Sequence, residues 1–285
     1  MAILRVLLVP AIAIAVVASG VSADAQQWTP LVDHDHFDID FQLFAPADLD
    51  PYGDGPQPNV GWYFTYDRLY WAVSRPQLAP QPTQMDFTWG NRIDVGFMTE
   101  ERTGWAFTLL HVDGPVKPFG LSDLADDAVV LNNADLSSFE LNKVWRIRPF
   151  HNGAVLEPFV GARYMIFRDR FDPDNYVHNH ILGGQVGARL FKKKGRWLMS
   201  GECRFFAGED FQYFTANSDH ETVPMGEIRA EAAYEISREF AVRFGYEMLH
   251  MGQGVARGLD TSLLGGDNSE DLTMHGVTFG ITLNR

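Results

Sequence analysis

Side chains able to ligate a metal gather at two places in this chain. Asp33-His34-Asp35-His36 are metal-ligating types, but adjacent residues point in different directions and their carboxylates would need partners from elsewhere. Asp169, Asp172, Asp174, His178 and His180 cluster around one connecting segment, where calcium or a cation bridging lipid phosphates could bind. A solvated acidic lead-in and a polar loop tip account for the two clusters more simply. No metal site is therefore assigned, with Asp169, Asp172 and Asp174 as weak candidates. Ser200, Ser218 and Ser237, with His220, His250 and His275, supply the parts of a serine–histidine hydrolase. The chain has no Gly-x-Ser-x-Gly, and no spacing selects a triad. Phosphate loops, paired zinc cysteines and dinucleotide fingerprints are also missing, so neither a cofactor nor catalysis is expected.

The charged residues carry a stronger pattern. Between Met225 and Met251 the chain reads GEIRAEAAYEI, Ser237-Arg238, EFAVRFGYEML. Ile228, Ala230, Ala232, Tyr234 and Ile236 alternate with Glu227, Arg229, Glu231, Ala233 and Glu235. Phe240, Val242, Phe244, Tyr246 and Met248 alternate with Ala241, Arg243, Gly245 and Glu247. A period of two on either side of a tight connection is an antiparallel hairpin with one apolar and one charged face. In a soluble sheet the charges face water; in a membrane barrel they face the lumen.

Eight further segments extend this hairpin to ten strands in all: Gly61 to Val73, Asn91 to Glu100, Gly104 to Asp113, Ser138 to Arg148, Ala154 to Phe167, Asn179 to Lys192, Arg196 to Ala207, Val223 to Ile236, Glu239 to Met251 and Leu272 to Asn284. The first, WYFTYDRLYW, is aromatic on both faces and its phase stays open. Long connections (Ser74 to Gly90, Gly114 to Ser137, Arg168 to His178, Gly208 to Thr222, Gly252 to Asp271) alternate with short ones (Glu101 to Thr103, Pro149 to Gly153, Lys193 to Gly195, Ser237-Arg238). Strict alternation puts every long connection at one end and both termini at the other. This predicts an all-β fold: a closed antiparallel up-and-down transmembrane β-barrel with short periplasmic turns and long external loops. Hydrocarbon satisfies no free N–H or C=O, so such a sheet must close. Ala128 to Asn132 or Phe37 to Leu43 could add edges, which leaves the count between eight and twelve. Arg163, Arg189, Glu202, Arg204, Glu227, Arg229, Glu231, Arg243 and Glu247 are expected to interlock as a lumen-facing polar network, too tight for a free-flowing channel. Tyr63, Trp62, Trp71, Trp105, Trp145, Tyr164, Trp197, Tyr234 and Tyr246 are candidates for interfacial aromatic girdles.

Residues 1–25 combine Arg5, the apolar run Val6 to Val17 and small residues at Val21-Ser22-Ala23 and Ala23-Asp24-Ala25, the pattern of a secretory signal peptide. Residues 26–60 read as a poorly ordered lead-in and residues 61–285 as the barrel domain. A net charge of −14 argues against nucleic acid as a partner. The one cysteine, Cys203, excludes a disulfide within the chain and falls on an apolar strand face.

FTYDRLYW (Phe64 to Trp71), FELNKVWR (Phe139 to Arg146), LEPFVGARYMIFRDRF (Leu156 to Phe171), GGQVGARLF (Gly183 to Phe191), RWLMSGECRFFAGED and MHGVTFGITL (Met274 to Leu283), in that order, resemble a family of predicted β-barrel proteins from planctomycete bacteria. The resemblance spans Gly61 to Leu283. It implies an outer-membrane barrel of unassigned molecular function and brings no catalytic set. The ending Leu283-Asn284-Arg285 departs from the aromatic last residue of many outer-membrane barrels. The leading expectation is thus a cell outer-membrane protein with a structural or narrow-pore role, whose partners are outer-membrane lipid and the barrel assembly machinery. Two alternatives stay open. A secreted soluble β-sandwich or barrel binding a carbohydrate or surface polymer needs the charges outward. An outer-membrane hydrolase needs a serine and a histidine in contact near the lipid rim.

Overall fold

The computed structural model describes residues 61–75, 84–99, 102–115, 118–120, 129–131, 134–170, 176–212, 220–237, 239–255 and 271–284. The leader, the lead-in and the possible strand from Phe37 to Leu43 lie outside the described residues. Twelve strands follow in chain order: β1 (Gly61–Ser74), β2 (Met85–Met98), β3 (Thr103–Val112), β4 (Pro118–Gly120), β5 (Val129–Leu131), β6 (Asp135–Trp145), β7 (Val155–Arg170), β8 (Tyr176–Lys194), β9 (Trp197–Gln212), β10 (His220–Glu235), β11 (Phe240–Met251) and β12 (Leu272–Asn284). All but β4 and β5 form one closed barrel in which each strand pairs antiparallel with its neighbours and β12 closes on β1.

The stagger of the closure fixes its shape. Following paired residues from Gly61 through Met98, Gly104, Val144, Phe159, Gly187, Arg204, Glu227, Leu249 and Met274 returns to β1 at Val73. One circuit therefore advances from residue 61 to residue 73 of the same strand. With ordinary strand spacing and rise, that shear tilts the strands by about 40° and sets a backbone radius of about 10 Å. Such a cylinder is filled by its own side chains.

Several strand ends and one candidate edge depart from the sequence reading: β7 runs to Arg170, β8 starts at Tyr176 and β10 at His220, each extending into a segment read as a connection. β2 begins at Met85 rather than Asn91. Asp86 and Thr88 are buried while Phe87 and Trp89 are exposed, so the alternation runs straight through Gly90. β9 continues to Gln212, past Ala207. Ala128 to Asn132 does contain a strand, but β5 pairs with β4 in a separate two-stranded ladder. It adds no barrel edge because β3 and β6 pair directly, from Thr103↔Trp145 to Val112↔Leu136.

The short turns all lie at one end. Gly153 (φ +76°) and Gly195 (φ +58°) supply the left-handed conformations that two of them require. Near that end the ring of Tyr63 lies over Gly96, its direct cross-strand partner, so that a Cβ at residue 96 would fall 2.4 Å from a ring carbon. An aromatic ring covering a bare glycine pins register on the inner face. Gly96→Val is expected to lower the fraction of chain that migrates as the compact, heat-sensitive form on a gel. Adding Tyr63→Ala should restore much of it, whereas no recovery in the double variant would place the damage elsewhere.

Candidate functional site

Successive residues of each strand point alternately into and out of the barrel, and the two faces differ sharply. Phe244 (61% exposed), Phe279, Phe107, Leu141, Val160, Val186 and Met199 face outward. Glu227, Arg229, Glu247, Arg163 and Arg92 are buried within. A soluble barrel with charges outward is the reverse of this arrangement. Cys203 is a free, half-buried thiol on the outward face, between exposed Met199 and Phe205.

Two aromatic rings bound the apolar band. At the short-turn end stand Trp62, Trp105, Trp145 and Trp197, the last packed on Tyr234 with centroids 5.0 Å apart. At the other end Tyr70 packs on Phe87 and Trp89, while the hydroxyls of Tyr164 and Tyr246 meet His180 and His275 at 2.6 and 2.7 Å. The rings lie about eight strand residues apart, roughly 20–22 Å at this tilt, close to the ~25 Å band of outer-membrane barrels. Tyr63 and Trp71 do not join them. Both point inward and are buried, because β1 is aromatic on both faces and its inner aromatics pack inside the lumen.

The lumen has two layers. Its middle is an ion-pair network with two hubs. Arg92 reaches Asp67 Oδ2 (Nη2, 2.6 Å), Glu231 Oε1 (3.0 Å) and Glu247, with Asp94 Oδ2 at 3.4 Å from its Nε. Arg243 shares Asp67 (3.3 Å) and Glu231 with it. The second hub is formed by Glu140 and Glu227. Arg163 Nη1 donates to Glu227 (2.8 Å), and Arg204 donates to Glu140 (2.6 Å) and Glu202. Arg229 joins the hubs through Glu227 and Glu247, both at 3.3 Å. Arg189 binds Glu202 (2.5 Å), and Arg146 binds Glu157 (2.6 Å from Nε). Gln185 donates to Glu140 and Asn142, and Thr108 to Asp94. Buried charge is tolerated only where each group is paired and hydrogen-bonded. Here seven guanidiniums (Arg92, Arg146, Arg163, Arg189, Arg204, Arg229, Arg243) face eight carboxyls (Asp67, Asp94, Glu140, Glu157, Glu202, Glu227, Glu231, Glu247).

The structure brings all nine of the residues expected at the lumen into this network. Sequence reasoning missed Asp67, Arg92, Asp94, Glu140, Arg146 and Glu157. Arg92 and Asp94 carried a usable signal, alternating with Ile93 and Val95; Asp67 was hidden by the open phase of β1.

The second layer fills the lumen toward the long connections. Leu69, Trp71, Met165, Phe167, Ile181, Phe206, Met225, Leu249, Met251 and Met274 form one buried apolar cluster there. Two small cavities, of about 30 and 50 Å³, flank Tyr63 and Arg189 in the short-turn half. They have room for little more than water.

Among the described residues the other sequence candidates do not assemble. Ser200 lines the larger cavity, Ser237 caps its own turn by accepting from Phe240 N (3.1 Å), His250 meets Thr273 and His275 meets Tyr246. Ser218, Asp172, Asp174 and residues 33–36 lie outside the described residues, as do the side chains of His220 and Asp169. Among the described residues no group of three or more metal-ligating side chains converges. Among the described residues a different serine–histidine contact forms. Ser137 Oγ lies 3.0 Å from His111 Nδ1, and His111 Nε2 lies 3.1 Å from Asp113 Oδ1. His111-x-Asp113 at a strand end was the available sequence signal; the pairing with Ser137 depends on register.

No family model matches the chain, and no curated protein matches it. Among solved structures it is similar to Neisserial surface protein A (10% identity, TM-score 0.36, 79% of this chain and 97% of that one). It is also similar to the outer membrane protease OmpT from Escherichia coli (8% identity, TM-score 0.44, 80% and 98%) and to the translocator domain of the autotransporter NalP from Neisseria meningitidis (12% identity, TM-score 0.42, 82% and 91%).

Because Arg92 neutralises several buried carboxylates at once, Arg92→Ala should cost about 3–5 kcal/mol by leaving them uncompensated. The check is urea unfolding from phospholipid vesicles followed by tryptophan fluorescence. A loss below about 1 kcal/mol would show that the hub is not dry, as the screening of exposed ion pairs implies.

Proposed function

We propose that the chain is an integral outer-membrane β-barrel with a closed lumen, serving as a structural membrane element rather than an open pore. The observation that carries this reading is the filling of the barrel: an apolar plug sits above a paired charge network, inside an outward face that is apolar between two aromatic rings. In this orientation the short turns lie in the periplasm and the long connections outside the cell. Lipid is the partner of the outward band, and the barrel assembly machinery is the expected route of insertion. No catalysis is assigned to the lumen. The finer likeness to planctomycete barrels rests on sequence motifs alone.

A barrel with eight to ten strands has an interior that its side chains fill. Ion passage through this one would require the plug residues and the Arg92 hub to move together. The test is fractionation of cells expressing the full chain, followed by conductance of the detergent-purified barrel in planar bilayers. Recovery with outer membranes, a heat-sensitive gel shift and a flat current baseline are expected. Stable open-channel current steps would overturn the closed-lumen reading, and a monomer soluble without amphiphile would overturn the membrane reading.

A further inference from the structure

The His111 contact lies on the outward face, at the level of the aromatic ring nearest the long connections. Ser137 is the direct cross-strand partner of His111, and Asp113 follows His111 by two residues on the same face. Register rather than chance rotamers therefore brings the three together. If Asp113 accepts the Nε2–H, the tautomer is fixed with the Nδ1 lone pair on the Ser137 hydroxyl. The ring nitrogens have exchanged their commoner places. The chemistry requires only that one nitrogen can take the hydroxyl proton while the other is held by a carboxylate. Asp135 also faces the ring, with Oδ1 3.9 Å from Nδ1, and Arg168 lies 3.8 Å from Asp135.

A cation stands two strands away. Arg68 points outward from β1 near the level of that aromatic ring and has no acidic partner among the described residues. Its guanidinium donates to Asn91 Oδ1 at 2.6 Å and lies 5.2 Å from the Trp89 ring centre. Tyr66 donates to the same Asn91 oxygen at 2.8 Å. Asn91 is the cross-strand partner of both Arg68 and His111. An arginine in the lipid-facing band is costly unless it reaches an interfacial anion. The anion available at that level is a lipid phosphate.

We propose that Ser137, His111 and Asp113 form a serine-esterase site that cleaves an acyl ester of an anionic lipid in the outer leaflet, with Arg68 holding the headgroup phosphate. Ser137 Oγ attacks the ester carbonyl carbon while His111 Nδ1 takes the hydroxyl proton. The bond from that carbon to the alcohol oxygen breaks, and the alcohol leaves with the proton. Water then adds to the acylated Ser137, giving a proton to Nδ1. The serine–acyl bond breaks, Oγ recovers the proton and a fatty acid is released. Ester and water become acid and alcohol, with no other reactant. Ser137 and His111 are the catalytic residues; Asp113 and Asn91 are positioning residues.

The proposal rests on the membrane orientation above, and the experiment separates the two. The full chain is refolded into vesicles of phosphatidylcholine with or without phosphatidylglycerol, and insertion is read from the heat-sensitive gel shift. A fluorophosphonate probe is added, its attachment is mapped by peptide mass spectrometry, and fatty-acid release is followed. The wild-type barrel should be labelled at Ser137 and release fatty acid. Both should fall by about 10³-fold or more in Ser137→Ala and His111→Ala, the scale set by losing a triad member. Asp113→Asn should lower kcat without moving KM. Arg68→Gln should raise KM more for phosphatidylglycerol than for phosphatidylcholine, whose phosphate is already balanced by its own choline cation. An inserted wild-type barrel with no label at Ser137, or with release equal to that of Ser137→Ala, overturns the esterase and leaves the membrane reading standing. This wild-type result holds even if a variant fails to fold. An unchanged lipid preference in Arg68→Gln overturns its assigned role.

Discussion

Every backbone N–H and C=O between the two aromatic rings must find its partner in a neighbouring strand, because hydrocarbon offers none. The rest of the structure follows from that constraint. It forces β12 onto β1, and the stagger from Gly61 to Val73 sets tilt and radius together. A closed cylinder has only two faces, so each strand residue is committed either to lipid or to the lumen. The same commitment makes Phe244 an exposed side chain and Glu247 a buried one within a few residues of each other.

Closure creates a second problem inside. Inside a backbone radius of about 10 Å, side chains leave too little space for free water around many charges, so the polar face must neutralise itself. Arg92 and Arg229 do this by each touching several carboxylates contributed by different strands. The ion pairs thereby tie β1 and β2 to β10 and β11, a pair of strands distant from them in sequence. Toward the long connections the filling becomes mostly apolar: methionines, Phe167, Phe206 and Trp71 take most of the space, with Asp86, Asn179 and Asp210 also buried at that end. Methionine suits such a gap because its unbranched chain adapts to irregular shapes.

That change of layer explains what the sequence could and could not reveal. Where the lumen is charged, alternation is unambiguous, and Glu227, Arg229, Glu231, Arg243 and Glu247 could be placed from spacing alone. Where the lumen is apolar, inner and outer residues look alike. The phase of β1 was lost for this reason, since Leu69 and Trp71 are as apolar as Phe64, and the end of β9 was cut short at FFAGED, where Phe205 faces out and Phe206 in. The rim contact of Ser137 with His111 was illegible for another reason. It joins residues brought together only by the register of β3 on β6, across a stretch that also contains the β4–β5 ladder. Periodicity reports which face a residue takes; it does not report which residue stands opposite.

The direction of the two faces is the claim on which all else depends, and adjacent residues of β12 test it most directly. Thr278 is buried in the lumen and Phe279 lies on the outside. In a Cys203→Ala background, single cysteines at 278 and 279 can each carry a nitroxide in lipid vesicles. Collisions with oxygen, which dissolves in hydrocarbon, and with a water-soluble nickel chelate are then compared. The label at 279 should collide strongly with oxygen and hardly with nickel, and the label at 278 should be shielded from both. The reverse result, with 279 shielded and 278 open to the aqueous quencher, would contradict the account.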